Sequence, residues 1–175
     1  ETIGCPFFVA SLDIKWGYNN ILLEKDSRKF TTFSTVLGNF SSNVLPQGLK
    51  TAPFEFMKVM NKVLNGTRGV PYLDDVILAC ATFEEFKKEL EAILKSFIRY
   101  GLKASLPKCS FGKKETRHLG YLLTKDGYKP DPRNVEKIAN WKEPETPNQV
   151  LSFLATVMWY KNFIPNASLI AEPLY

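Results

Sequence analysis

The sequence predicts an α+β fold with strands first, helices interleaved and a helical tail. Three observations carry this. Apolar, β-branched and aromatic runs at residues 7–14, 30–36 and 72–79 read as strands. Residues 51–64 and 82–101 place apolar side chains at helical spacing. The last third has two proline-marked helix starts, Asp131-Pro132 and Thr146-Pro147.

Taken in order, the first run lies between Pro6 and Gly17 and reads as a buried strand ending near Asp13. Ile21-Leu22-Leu23 and the charged residues 24–29 lead into a strand at residues 30–36. Gly38-Asn39 would turn that strand into a partner around residues 40–45. Thr51 is placed to cap a helix with Pro53 in its first turn; Phe54, Met57, Met60, Val63 and Leu64 are its apolar face, and Asn65-Gly66 ends it. Tyr72-Leu73-Asp74-Asp75 before Val76-Ile77-Leu78-Ala79 sets apolar arms around two acids, as a tight hairpin does. Thr82 and Glu85 have capping-box spacing before a helix whose face is Phe83, Phe86, Leu90, Ile93, Leu94, Phe97 and Ile98, closed by Gly101. A further hairpin is expected between His118 and Lys129, around Lys125-Asp126-Gly127. Asp131-Pro132 opens a helix carrying Val135, Ile138 and Ala139, and Thr146 with Gln149 caps another over residues 150–164.

Composition narrows the function classes. The 175 residues are 45% hydrophobic and 23% charged, enough apolar material for a core and against disorder. No run approaches the roughly 18 apolar residues of a membrane span. The opening Glu1-Thr2-Ile3-Gly4 has no initiator Met and no leader pattern, and reads as a piece of a longer polypeptide. Cys5, Cys80 and Cys109 are scattered, and His118 is the single histidine. That leaves a zinc site short of partners and points to a reduced, intracellular setting: cytoplasm, nucleus or a virus-like particle. A net charge of +5 permits phosphate attraction without requiring it.

The chemistry concentrates in Tyr72-Leu73-Asp74-Asp75. Adjacent carboxylates between strand-forming residues repel each other and must be solvated or neutralised. A divalent cation neutralises them, and Mg²⁺ takes a few carboxylate oxygens together with water and substrate phosphates. Asp13, at the end of its own apolar strand, is the best further ligand. An ordinary solvated turn is the plainer alternative for the tetrad.

Segment by segment, the chain resembles the reverse transcriptases of gypsy-type retrotransposons and retroviruses. The resemblance rests on Ser11-Leu12-Asp13-Ile14-Lys15-Trp16-Gly17-Tyr18, residues 24–33, Leu45-Pro46-Gln47-Gly48-Leu49, Tyr72-Leu73-Asp74-Asp75, Lys108-Cys109-Ser110-Phe111 and Leu119-Gly120-Tyr121, all in order. It implies a polymerase palm, an antiparallel sheet backed by helices. Residues 1–21 would form the first part of the palm with its catalytic aspartate, and 22–45 a partial fingers hairpin. Residues 46–121 would form the palm with the catalytic hairpin, and 122–175 the end of the primer grip and a helical thumb or connection. The implied activity is RNA-directed DNA polymerisation by two-metal nucleotidyl transfer to a primer 3′-hydroxyl. Asp13, Asp74 and Asp75 would hold two Mg²⁺ ions, with Mn²⁺ as a substitute, and Lys108 would protonate the leaving pyrophosphate. Tyr18 would lie beneath the incoming sugar as a steric gate, Gln47 against the nucleotide or template, and Lys25, Arg28 and Lys29 toward triphosphate or nucleic acid. Tyr72 would pack near the primer terminus, and Leu119, Gly120 and Tyr121 would grip the primer strand. Each has a plainer alternative: a core aromatic for Tyr18, turn chemistry for Gln47, a strand position for Tyr72, a solvated face for the cations, an ordinary hairpin for 119–121.

The implied partners are an RNA or DNA template with primer, deoxynucleoside triphosphates, and the ribonuclease H and integrase regions of a Pol polyprotein; no membrane is expected. Three departures from the family pattern stand out. The family's triphosphate-clamp segment and its ribonuclease H and integrase regions are not among these 175 residues. Only residues 65–71 separate Leu64 from Tyr72, and Pro71 lacks a donor where pairing is wanted, so a shortened or re-registered hairpin is expected. The chain alone is therefore expected to be inactive or very weak. A relic or domesticated copy retaining at most nucleic-acid binding is the second hypothesis, and an unrelated α+β interaction domain the third.

Overall fold

The structure, a computed structural model, describes residues 8–175; Cys5, Pro6 and Phe7 lie outside the described residues. The fold is α+β with antiparallel sheets, and the chain divides into two compact units, Glu1–Lys114 and Glu115–Tyr175. Among the described residues no helix is long and apolar enough to cross a membrane.

In chain order the first unit comprises β1 (Phe8–Asp13), α1 (Lys25–Arg28), β2 (Phe33–Thr35), β3 (Gly38–Phe40), α2 (Ala52–Val63), β4 (Val70–Tyr72), β5 (Asp75–Cys80), α3 (Phe83–Tyr100) and β6 (Ser110–Lys113). Its main sheet is ordered β4-β5-β1-β6 and is antiparallel throughout. Because side chains alternate across a strand, the register of β1 and β5 sorts them onto two faces. The pairs Ala10–Leu78 and Leu12–Val76 turn toward one face and are fully buried, in a core shared with Phe56 and Met60 of α2 and Phe86, Ile93 and Phe97 of α3. The pair Asp13–Asp75 falls on the other face. A slip of one residue would drive both acids into the apolar core, so burial of Leu12 and Val76 fixes where the carboxylates stand.

Local chemistry explains several departures from expectation. The strand predicted over 30–36 shrinks to Phe33–Thr35, because Thr31 and Thr32 donate their hydroxyls to the carbonyls of Arg28 and Lys29 and hold a helical turn there. The hairpin turns at Val36-Leu37, not at Gly38-Asn39. The Leu37 N–H donates to Thr35 Oγ1, and Gly38, at φ 121°, opens the short returning strand. Residues 41–45 then leave that ribbon: Leu45 donates its N–H to the Ile21 carbonyl and is buried in the core. Helix α2 exposes Phe54, which the sequence reading placed on its apolar face, and buries Phe56, which that reading left out. On α3, Phe86, Ile93 and Phe97 are buried while Phe83 and Ile98 face outward. Thr82 accepts from the Glu85 N–H, one half of the expected capping box, while Glu85 Oε2 accepts from the Ala81 N–H; Gly101 closes α3 in the left-handed conformation, as expected.

The connection over residues 65–71 leaves the hairpin short, as expected. β4 is short, but β4 and β5 pair in register, Tyr72 opposite Asp75 and Pro71 opposite Val76. A two-residue loop makes Tyr72–Asp75 a hydrogen-bonded pair, so alternation directs the Pro71 nitrogen away from β5, toward the open side of an edge strand. The short connection fits because Gly69 crosses Ile93 where a Cβ would come within 2.9 Å of Ile93 Cδ1. Arg68 anchors it to α3, ion-paired with Glu85 and with its N–H on Glu89.

The second unit opens with a three-stranded antiparallel meander rather than one hairpin: β7 (Thr116–His118), β8 (Tyr121–Thr124) and β9 (Gly127–Pro130). Helices α4 (Pro132–Ala139), α5 (Pro147–Met158) and α6 (Ala167–Ala171) come next. Asp131 caps α4 through the Arg133 N–H, and Thr146 with Gln149 forms a complete capping box on α5. α5 stops at Met158, earlier than the expected 164, and short turns of 3₁₀ helix flank α6.

Candidate active site

Three aspartates meet where β1 ends and β4 turns into β5. Asp13 closes β1 and stands opposite Asp75, the first residue of β5, and Asp74 occupies the turn between β4 and β5. The turn is tied to its surroundings by backbone. Ile14 N–H donates to the Asp74 carbonyl at 2.8 Å, Ser105 N–H to the Asp13 carbonyl at 2.8 Å, and Leu73 N–H to Met57 Sδ on α2 at 3.0 Å. Leu73 itself sits at φ 51°, a conformation that costs a non-glycine residue about 1–2 kcal/mol. Tight turns hold such residues only when the surroundings over-determine them, as these bonds do.

Asp74 is electrostatically exposed to trouble. Its Oδ1 is buried without a hydrogen-bond partner. Burial first, then the charges of Asp13 and Asp75, push its carboxyl above the ordinary range, with Lys108 acting in the opposite direction. Lys108 Nζ lies 3.3 Å from Asp13 Oδ2. Neighbouring residues leave no slack around the buried oxygen: a Cβ on Gly17 would come within 2.2 Å of Asp74 Oδ1 and 2.8 Å of Phe56 Cζ. Tyr18 stacks on Phe56 with ring centroids 4.9 Å apart, and burial followed by the Asp74 charge raises its hydroxyl pKa.

An orphaned buried carboxylate oxygen beside a second carboxylate fits a divalent cation. Among the described residues no group of three His, Cys, Asp or Glu side chains is placed to hold a metal ion by itself.

The other residues singled out in the sequence are spread more widely. Gln47 is exposed in the turn before Gly48, which is at φ 95°. Lys25 and Lys29 are exposed on and beside α1. Arg28 is committed to structure: Nε donates to the Leu23 carbonyl at 3.1 Å and Nη1 to Asn43 Oδ1 at 2.8 Å, bracing the 41–45 segment. Tyr72 is partly exposed at the end of β4. Leu119, Gly120 and Tyr121 belong to the second unit and form the β7–β8 turn, with Leu119 at φ 51° and Gly120 at φ 83°. Sequence reading missed the roles of Gly17, Phe56 and Met57. The one available signal was a glycine directly before the aromatic Tyr18 and four residues after an acid.

Residues 6–123 match the family model described as reverse transcriptase (RNA-dependent DNA polymerase). The chain is 32% identical over 173 residues to the retrovirus-related Pol polyprotein of transposon 297 of Drosophila melanogaster, covering 97% of this chain and 16% of the relative. It is 33% identical over 175 residues to that of transposon gypsy of the same organism, covering 98% and 17%. It therefore spans about a sixth of the length of these relatives. Among solved structures, a foamy viral protease–reverse transcriptase in complex with double-stranded DNA superposes with a TM-score of 0.90 at 28% identity, covering 97% of this chain and 30% of that one. A foamy viral protease–reverse transcriptase in complex with an RNA/DNA hybrid gives 0.87 at 27%, covering 100% and 25%.

Proposed function

The chain belongs to the reverse transcriptase family of retroelement Pol polyproteins, and from that premise we propose that it carries the palm and catalytic carboxylates of an RNA-directed DNA polymerase. The observation that carries this reading is the buried, unpartnered Oδ1 of Asp74, whose carboxyl feels the charges of Asp13 and Asp75 and whose carbonyl accepts the N–H of Ile14, the residue after Asp13. When bound there, two Mg²⁺ ions would supply activation of a primer 3′-oxygen and neutralisation of the leaving pyrophosphate. Asp13, Asp74 and Asp75 would hold them, with Asp75 opposite Asp13 in the β1–β5 register.

The remaining roles are argued from position. Lys108, beside Asp13, is poised to hand a proton to the leaving group. Tyr18, clamped on Phe56, walls the site where a ribose 2′-hydroxyl would need room. Gln47, Lys25 and Lys29 are exposed toward nucleotide or template, with Arg28 as the brace that presents their loop. Tyr72 and the Leu119-Gly120-Tyr121 turn contact the primer strand. Residues 1–21 and 46–121 act as palm, 22–45 as partial fingers, and 122–175 as the end of the primer grip and the start of the thumb or connection. Template–primer duplex, deoxynucleoside triphosphates and the other regions of a Pol polyprotein are the partners.

Primer extension with Mg²⁺, comparing this chain with Asp74→Asn, tests the reading. Slow extension that the substitution abolishes is expected. Extension that survives it removes the metal role from Asp74. No extension, together with retained salt-sensitive duplex binding, identifies a relic that keeps only its nucleic-acid surface.

A further inference from the structure

Within the second unit, the β7–β8 turn is held from outside its own hairpin. The Gly120 carbonyl accepts two hydrogen bonds, one from the Asp131 N–H at 2.9 Å and one from the Tyr160 hydroxyl at 3.0 Å. The hydroxyl is itself oriented, because Asn134 Nδ2 on α4 donates to it at 3.1 Å. Tyr160 lies just beyond the end of α5, is almost fully buried, and its ring meets Tyr121 edge-on at a centroid separation of 5.5 Å. Its neighbour Trp159 accepts the Tyr121 hydroxyl on its carbonyl at 2.8 Å, and the two rings stack. Residues 159 and 160 therefore grip both members of the Gly120-Tyr121 pair, by hydrogen bond and by ring.

Gly120 has a second reason to be glycine beyond its φ of 83°. A Cβ there would lie 2.8 Å from the Tyr160 oxygen and 3.3 Å from Asn134 Nδ2. The space that a side chain would occupy is taken by the tether. A buried hydroxyl with a donor behind it and an acceptor in front has one orientation open to it, which makes it a positional device rather than generic packing.

We infer that Tyr160 is the positioning residue for the Leu119-Gly120-Tyr121 turn, setting the turn's backbone through the Asn134–Tyr160–Gly120 hydrogen-bond chain. Its effect on substrate rests on the reading that this turn contacts the primer strand. Tyr160 acts through the turn and does not itself touch nucleic acid.

Tyr160→Phe in the full chain removes the hydroxyl and keeps the ring. Amide hydrogen exchange at Tyr121 and Asp131 should quicken about two- to tenfold, the worth of one net hydrogen bond, while the interior of α5 is unchanged. Asn134→Ala should produce a smaller change in the same direction, and it covers the case in which the Phe variant folds poorly. Duplex affinity is read in parallel, on a recessed-3′ primer–template and on a blunt duplex of the same length. The expected result is a several-fold loss confined to the recessed end, with the salt dependence of binding unchanged. Unchanged exchange in both variants overturns the tether. Faster exchange with equal affinity for both duplexes leaves the tether standing and sinks the primer-contact reading beneath it.

Discussion

Two hairpins in this chain turn on a leucine in the left-handed conformation, Leu73 and Leu119, both at φ 51°, and both loops are two residues long. The two turns differ at the next residue. After Leu73 comes Asp74, whose Oδ1 is buried with no partner. After Leu119 comes Gly120, which has no side chain and a carbonyl that two donors satisfy. One turn keeps a buried polar atom without a partner; the other has its polar groups satisfied within the protein. The same local geometry thus occurs once around an unpartnered carboxylate and once as a finished support, and the difference lies in one residue and its neighbours.

The largest effect should come from closing the open turn. Gly17→Ala puts a Cβ onto Asp74 Oδ1 and Phe56. Displacing the carboxylate by about 1 Å should lower primer extension by roughly a hundredfold, and overpacking should cost about 1–3 kcal/mol in denaturant titration. Retained extension and unchanged stability would show that the turn has more room than the contacts imply.

Next in size is the response to pH and metal. The folded-state pKa of Asp74 is raised, so its contribution to stability is full below the ordinary carboxylate range and is lost as pH rises through the raised value. Thermal midpoints without metal should fall through that window, and Mg²⁺ should restore them. Asp74→Asn should flatten the pH response and abolish the Mg²⁺ shift. An equal Mg²⁺ shift in the variant would place the ion elsewhere.

The closed turn should respond with the opposite sign. Asp131 accepts from the Arg133 side chain and N–H and from Arg117, and these hold its carboxyl below the ordinary range. Its contribution is present above that range and disappears as pH falls through the lowered value. Acid should therefore lower the hydrogen-exchange protection of the β7–β8 turn relative to the unfolded chain at the same pH; protection insensitive to acid would remove Asp131 from the support. The smallest effect is expected from Leu73→Gly and Leu119→Gly. Relief of the left-handed strain, offset by glycine's greater chain entropy, should leave a net gain of about 0.5 kcal/mol at each. A gain at one turn and a loss at the other would mean that the two leucines are not equivalent after all.

Much of this comparison is legible in the sequence where its cause is local. Asp13 at a strand end, the Thr146–Gln149 cap and the Gly101 stop all depend on neighbours within a few residues. The roles of Gly17 and Phe56 are not legible, because Asp74 reaches them only once β1 and β5 pair. Arg28 reads toward the nucleotide in the sequence for the same reason: Asn43, its partner, is close in space and distant along the chain. Phe54 and Phe56 exchange places because a face of α2 is decided by what the sheet offers it, and spacing alone admits both.

Pro71 reads in the sequence as a defect in pairing, and the fold turns it to another use. It sits in β4, at the edge of the main sheet, with its nitrogen directed away from β5. An edge strand of apolar composition is an invitation to a further strand from another molecule, and a missing donor withdraws part of it. The residue that shortens the β4–β5 hairpin also leaves its outer edge one donor short for any strand that would add to it.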